Sequence, residues 1–309
     1  MADPAQTGIA AKRGRSSGAS SGGQGPKIGL VLGGGGARGL AHILMLEVFD
    51  EFGIKPAVIA GSSIGAIFGA AYAAGLSGCE IREATEEALG NRFELIRSLF
   101  TARAGRAINS LNPFTSRAAF LAPTALLDIL LPQRVPDMFE ALDIPLRIVA
   151  SDFYALESVV LSSGPLRPAV AASMALPVIF EPVLMDGRSL VDGGLTNPLP
   201  FDILVGEADV LVAIDVSGTT VPSPKRARPT AIEALFSSSF LFERSIVREK
   251  LKSHRPDIYI DAGTGRYQAL EFLKMREIFA AAQPAQDALR ERLSMLLEAD
   301  AGAQAVGKS

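Results

Sequence analysis

From Lys27 onward the chain alternates short, nearly unbroken apolar runs with longer stretches in which apolar residues recur every three or four positions. The runs have the length of strands: Ile28–Leu32, Ala57–Ala60, Leu146–Ala150, Val159–Ser162, Val183–Met185, Ser189–Val191, Val210–Val216 and Ile258–Ile260. The periodic stretches predict helices over Ala37–Phe52, Ile64–Ala74, Glu80–Leu89, Thr124–Leu131, Pro198–Val205, Ala231–Leu251 and Ala269–Ala299. Strands that are apolar on both faces need cover on both faces, so the alternation predicts an α/β fold with a mostly parallel sheet. Asp186-Gly187, between two of the runs, predicts a two-residue hairpin turn.

Three segments break this rhythm. Residues 1–26 are rich in glycine and serine and hold almost nothing to bury, so a disordered tail is expected there. The tail also lacks the apolar stretch of a secretion signal. Asn91–Pro123 mixes arginines and phenylalanines with Gly, Asn and Pro. Pro56–Ser77 carries no charge and is long enough to span a bilayer. Its Gly61, Ser62, Ser63, Gly65 and Gly69 instead predict a strand, a tight turn and a small-residue helix. The expected organisation is a tail over 1–26, one main domain over 27–280, and a C-terminal helix with a frayed end over 281–309. A cytoplasmic location is expected, with no membrane-spanning helix.

Charge and composition narrow the chemistry. A net charge of −3 on 309 residues offers no general field for nucleic acid. The single cysteine, Cys79, excludes an intrachain disulfide framework and a cysteine-rich zinc site. No metal or cofactor is expected. The two histidines, His42 and His254, are the only ones available to any mechanism that needs imidazole. Arg92, Arg97, Arg103, Arg106 and Arg117 stand against one acid, Glu94, among interleaved apolar residues. That segment could rest on an anionic membrane surface, or pack as a solvated cap.

Gly33-Gly34-Gly35-Gly36-Ala37-Arg38-Gly39 follows the first strand and opens a helix. Bare N–H groups beside a helix start favour an anion or a developing oxyanion. A Walker loop is excluded, since no Gly-Lys-Ser/Thr follows. Gly34, Gly36 and Gly39 match G-x-G-x-x-G, but the second strand ends Ile59-Ala60-Gly61 without the acid that a dinucleotide site needs. An oxyanion loop fits better. The second strand then runs into Gly61-Ser62-Ser63-Ile64-Gly65, a G-x-S-x-G in the strand–turn–helix context of a nucleophile elbow. Among candidate bases, His254 lies in a charged segment and His42 inside a helix. Asp192, in Val191-Asp192-Gly193-Gly194, ends a strand where other groups can approach closely.

The ordered set GGGGARGLAH, GSSIG and DGGLTNPLP, with the segment Ala172–Val183, resembles the patatin-like phospholipase family over roughly residues 27–216. That resemblance implies a three-layer α/β/α sandwich and a lipid acyl hydrolase with a Ser–Asp dyad. It makes Ser63 the nucleophile and Asp192 the base, with Gly61 and Gly65 flanking the elbow. Gly34, Gly35, Gly36 and Arg38 form the oxyanion loop in that scheme. The expected partner is a lipid substrate, a phospholipid or lysophospholipid. Acyltransfer or thioester cleavage by the same dyad, and a non-catalytic lipid-binding role, are the alternatives. The chain departs from the family at Ala155-Leu156, where members often carry Thr-Gly before the glutamate.

Overall fold

The computed structural model describes residues 25–91, 121–177, 179–218 and 231–306. Its strands are β1 (Ile28–Leu32), β2 (Val58–Ser62), β3 (Leu146–Asp152), β4 (Glu157–Leu161), β5 (Val183–Met185), β6 (Arg188–Asp192), β7 (Val210–Asp215) and β8 (Ile258–Asp261). Its helices are α1 (Ala41–Glu51), α2 (Ile64–Ala73), α3 (Gly78–Asn91), α4 (Pro123–Leu130), α5 (Leu166–Ser173), α6 (Ala231–Ser253) and α7 (Met275–Val306). The strands form one sheet in the order β5-β6-β3-β2-β1-β7-β8, with β4 also paired to β3. β3, β2, β1, β7 and β8 run parallel, while β4, β5 and β6 add antiparallel pairings around β3.

Side-chain alternation divides the central strands between two cores. Leu30, Leu32, Ile59, Ile148, Val212 and Ile214 face a large core shared with α1, α2, α3, α4, α5 and α7. Val31, Val58, Ala60, Leu211 and Ala213 face a smaller one with Phe201, Leu204 and Val247 of α6. These are the three layers expected from the apolar runs. On α7, Ile278, Ala282, Ala285, Leu289 and Leu293 are buried at helical spacing, and Gln286 donates to the Leu44 carbonyl of α1. This helix continues to Val306, beyond the Ala299 where fraying is expected, and the boundary drawn at 280 falls inside it. Among the described residues no helix is long and apolar enough to cross a membrane.

Asp186 and Gly187 both have positive φ, 50° and 75°, as the two-residue turn between β5 and β6 requires. Two expected elements differ. Pro198–Val205 is not an α-helix; only Phe201–Leu204 coils, as a 3-10 turn. The start of the helix expected from Ala37 is likewise a 3-10 turn, Gly36–Leu40, before α1 begins. The segment Arg92–Arg117, which could rest on a membrane surface or pack as a solvated cap, lies outside the described residues.

Candidate active site

β2 ends at Ser62 and α2 begins at Ile64, so Ser63 alone makes the turn, with φ 54° and ψ −122°. A non-glycine residue held there costs on the order of 1–3 kcal/mol, which the surrounding packing must supply. The flanking glycines are required by contact. A Cβ on Gly61 would strike the backbone of Gly65 and Ala66, and one on Gly65 would fall on the Leu32 carbonyl. The Ser63 N–H donates to Ser173 Oγ at 2.9 Å, and that hydroxyl donates to the Val149 carbonyl at 2.6 Å.

Strand register brings the second residue to this turn. β4 pairs with Ile148–Asp152 of β3, β2 pairs up to Val149, and β6 pairs from Ala150 onward. β2 and β6 therefore share the edge of β3 that β4 leaves, end to end and running in opposite directions. Their C-termini meet, with Ser62 opposite Val149 and Asp192 opposite Ala150. Ser63 Oγ consequently donates to Asp192 Oδ2 at 2.7 Å. The Gly194 N–H donates to Oδ1, also at 2.7 Å. Burial pushes the Asp192 carboxyl up to about 6, against the opposing pull of the hydrogen bonds from Ser63 and Gly194. Ser151 Oγ donates to the Asp192 carbonyl and meets Thr196 Oγ1, both at 2.8 Å, which fixes the loop behind the carboxyl.

The glycine loop divides its N–H groups. Gly33 donates to the Ile214 carbonyl, Gly34 to Pro198 and Ala37 to Ala269. The Gly34 N–H is thus committed to the backbone and has no proton to offer an oxyanion. Gly35 and Gly36 are the loop residues that line the cleft beside Ser63. Gly36 must be glycine, because its φ is 59° and a Cβ would collide with the Ala269 carbonyl. Arg38 braces the loop: Nε donates to the Gly35 carbonyl at 3.0 Å and Nη1 to Ser217 at 3.1 Å. Its guanidinium lies 4.5 Å from the centre of the Phe240 ring.

Neither histidine lines this cleft. His42 is fully buried, and its Nε2 lies 2.8 Å from the Gly33 carbonyl, an acceptor, so Nε2 carries the hydrogen. Burial pushes its pKa down to about 4, which leaves it neutral and structural, a post under the glycine loop. His254 stacks on Phe201 with ring centres 6.2 Å apart.

The cleft holds about 550 Å³ of empty space, counted out to solvent. Most of its lining is hydrocarbon: Ile67 of α2, Leu126 and Leu130 of α4, and Met174, Leu176, Ile179 and Phe180. Phe240 and Glu243 of α6, with Ala269, Leu270 and Phe272, line it as well. Ser173, Gly194 and Glu243 are site residues that sequence reasoning missed. Gly194 alone had a signal, in the paired glycines after Asp192. Among the described residues no three His, Cys, Asp or Glu side chains cluster as metal ligands do.

A serine elbow facing an aspartate beside a glycine loop is an arrangement that can form an acyl-serine ester. The patatin-like phospholipase family matches residues 30–205, from within β1 through the glycine loop, Ser63 and Asp192. The chain belongs to that family. An NTE family protein of Mycobacterium tuberculosis is 35% identical over 232 residues, 73% of this chain and 60% of its own length. Patatin-like phospholipase domain-containing protein 7 of Rattus norvegicus is 32% identical over 196 residues, 62% of this chain and 14% of its own. The chain thus matches less than two thirds of the length of each of these relatives. Among solved structures, VipD from Legionella pneumophila aligns with 86% of this chain and 67% of its own, at 16% identity and a TM-score of 0.43.

Proposed function

We propose that this chain is a serine lipid acyl hydrolase that cleaves carboxylic ester bonds of phospholipids or lysophospholipids. The observation that carries the reading is the 2.7 Å hydrogen bond from Ser63 Oγ to a buried Asp192 carboxylate, in a cleft with no histidine. Asp192 accepts the Ser63 proton as Oγ attacks the ester carbonyl. With a pKa near 6 it is ionised at neutral pH, yet it is a stronger base than a solvated aspartate. The N–H groups of Gly35 and Gly36 take the oxyanion of the tetrahedral intermediate, a role for which Gly34 has no free donor. The start of α2 adds the favourable end of its dipole. The alcohol leaves, and water activated by the same carboxylate hydrolyses the acyl-Ser63 ester. The acyl chain lies along the hydrocarbon wall of α2, α4 and Met174–Phe180.

A panel of phosphatidylcholine, lysophosphatidylcholine and p-nitrophenyl esters of several chain lengths tests this. Release of fatty acid by the unchanged protein and none by Ser63→Ala is the expected result. A Ser63→Ala protein as active as the unchanged one would refute it.

A further inference from the structure

Glu243 is a buried carboxyl for which the dyad has no use. It sits on α6, is 3% exposed and lines the same cleft as Ser63. Its Oε2 is shut off from solvent and has no hydrogen-bond partner among the described residues. A Cβ placed on Gly194 would lie 3.0 Å from Asp192 Oδ1 and 3.1 Å from Glu243 Oε1. Both carboxyls therefore crowd the place that a side chain at residue 194 would fill, which puts them near one another beside Gly194. A buried acid with an unpartnered oxygen costs least when it is neutral. We propose that Glu243 is the proton donor to the alcohol that leaves the Ser63 tetrahedral intermediate, a role that rests on the hydrolase reading above.

Among the described residues that line the cleft, Ser63, Asp192 and Glu243 carry the only polar side chains, so Glu243 is the acid other than the base that a departing alcohol can meet. As the C–O bond breaks, its electron pair stays on the alcohol oxygen, which takes the proton of Glu243. Before water attacks the acyl-Ser63 ester, Asp192 gives up to solvent the proton it took from Ser63 Oγ, and Glu243, now a carboxylate, takes one back from solvent. The charges around Glu243 are consistent with a proton held at neutral pH. Burial, Asp192 and Asp215 at the end of β7 push its pKa up to about 8, and Arg38 of the glycine loop pulls only partly the other way. Arg38 is itself engaged with two carbonyls and the Phe240 ring.

A proton donor matters for a basic leaving group and little for a stable one. Lysophosphatidylcholine, whose leaving group is an alkyl alcohol, is therefore compared with a p-nitrophenyl ester of the same acyl chain. Glu243→Gln should lower the lysophosphatidylcholine rate by about 100-fold, the lower end of general acid contributions, and the p-nitrophenyl rate less than about 3-fold. Equal losses on both esters, or no loss on either, would overturn the proposal. Labelling of Ser63 by a fluorophosphonate reports separately on the dyad. An unchanged protein that does not label defeats the hydrolase reading and this one with it. A variant that alone fails to label has a damaged site, and the unchanged protein then decides. Its ratio of lysophosphatidylcholine to p-nitrophenyl hydrolysis should fall as pH rises through about 8, and a ratio constant from about pH 7 to 9 overturns the proposal.

Discussion

Asp192 and His42 are both buried, and burial moves them in opposite directions because it penalises whichever form is charged. For Asp192 the pKa rises to about 6, so hydrolysis should climb through that pH as the carboxylate forms. A rate profile flat from pH 5 to 7 would contradict this. For His42 the pKa falls from 6.5 to about 4, so the folded state refuses a proton that the unfolded chain accepts. That contributes up to about 3 kcal/mol, fully present above pH 6.5 and lost as pH falls towards 4. His42→Gln, which keeps an N–H for the Gly33 carbonyl, should flatten this acid-side loss in denaturant titrations. At this scale Ser63 and Asp192 were legible because their glycine neighbours announce them. Glu243 was not: α6 carries many charged residues, and no local spacing marks the one that points inward.

Among the elements, the meeting of β2 and β6 at the middle of β3 sets the Ser63–Asp192 distance. The loop after β6 is then tied down by Lys250 of α6. Its Nζ donates to Asn197 Oδ1, to the Leu199 carbonyl and to Asp202, and it sits 4.6 Å above the Phe201 ring. Because Pro198 in that loop holds the Gly34 N–H, Lys250 steadies both the base and the oxyanion loop. Lys250→Met should cost about 2 kcal/mol in chemical denaturation, and lower kcat more than it raises KM. The strands were readable because each is an apolar run of the right length between breakers. α5 was missed: it is eight residues long, starts after Pro165 and carries Pro168 in its first turn, which reads as a break. Pro198–Val205 erred the other way, since two prolines and its pinning by Lys250 leave room only for a 3-10 turn. Leu156 makes the turn between β3 and β4 by adopting φ 59°.

For the molecule as a whole, the layers followed from the apolar runs, but the cleft did not. Its walls come from α2, α4, α6, the segment after α5 and residues 269–272, which are far apart in sequence. No periodicity says that these segments converge on Ser63. If the acyl chain lies along α4, Leu126→Trp should shorten the chain that fits. Hydrolysis of a long-chain p-nitrophenyl ester should fall about 10-fold or more, while the butyrate ester is cleaved as before. A uniform loss across chain lengths would place the acyl chain elsewhere.

In the proposed reaction Asp192 activates Ser63 without histidine. The most direct measurement is mass-spectrometric mapping of the adduct formed with a fluorophosphonate, in the unchanged protein, Asp192→Asn and His254→Ala. An adduct on Ser63 is expected in the unchanged protein and in His254→Ala, and none in a folded Asp192→Asn. Full labelling of Ser63 in Asp192→Asn, or its loss in a folded His254→Ala, would contradict the proposed reaction.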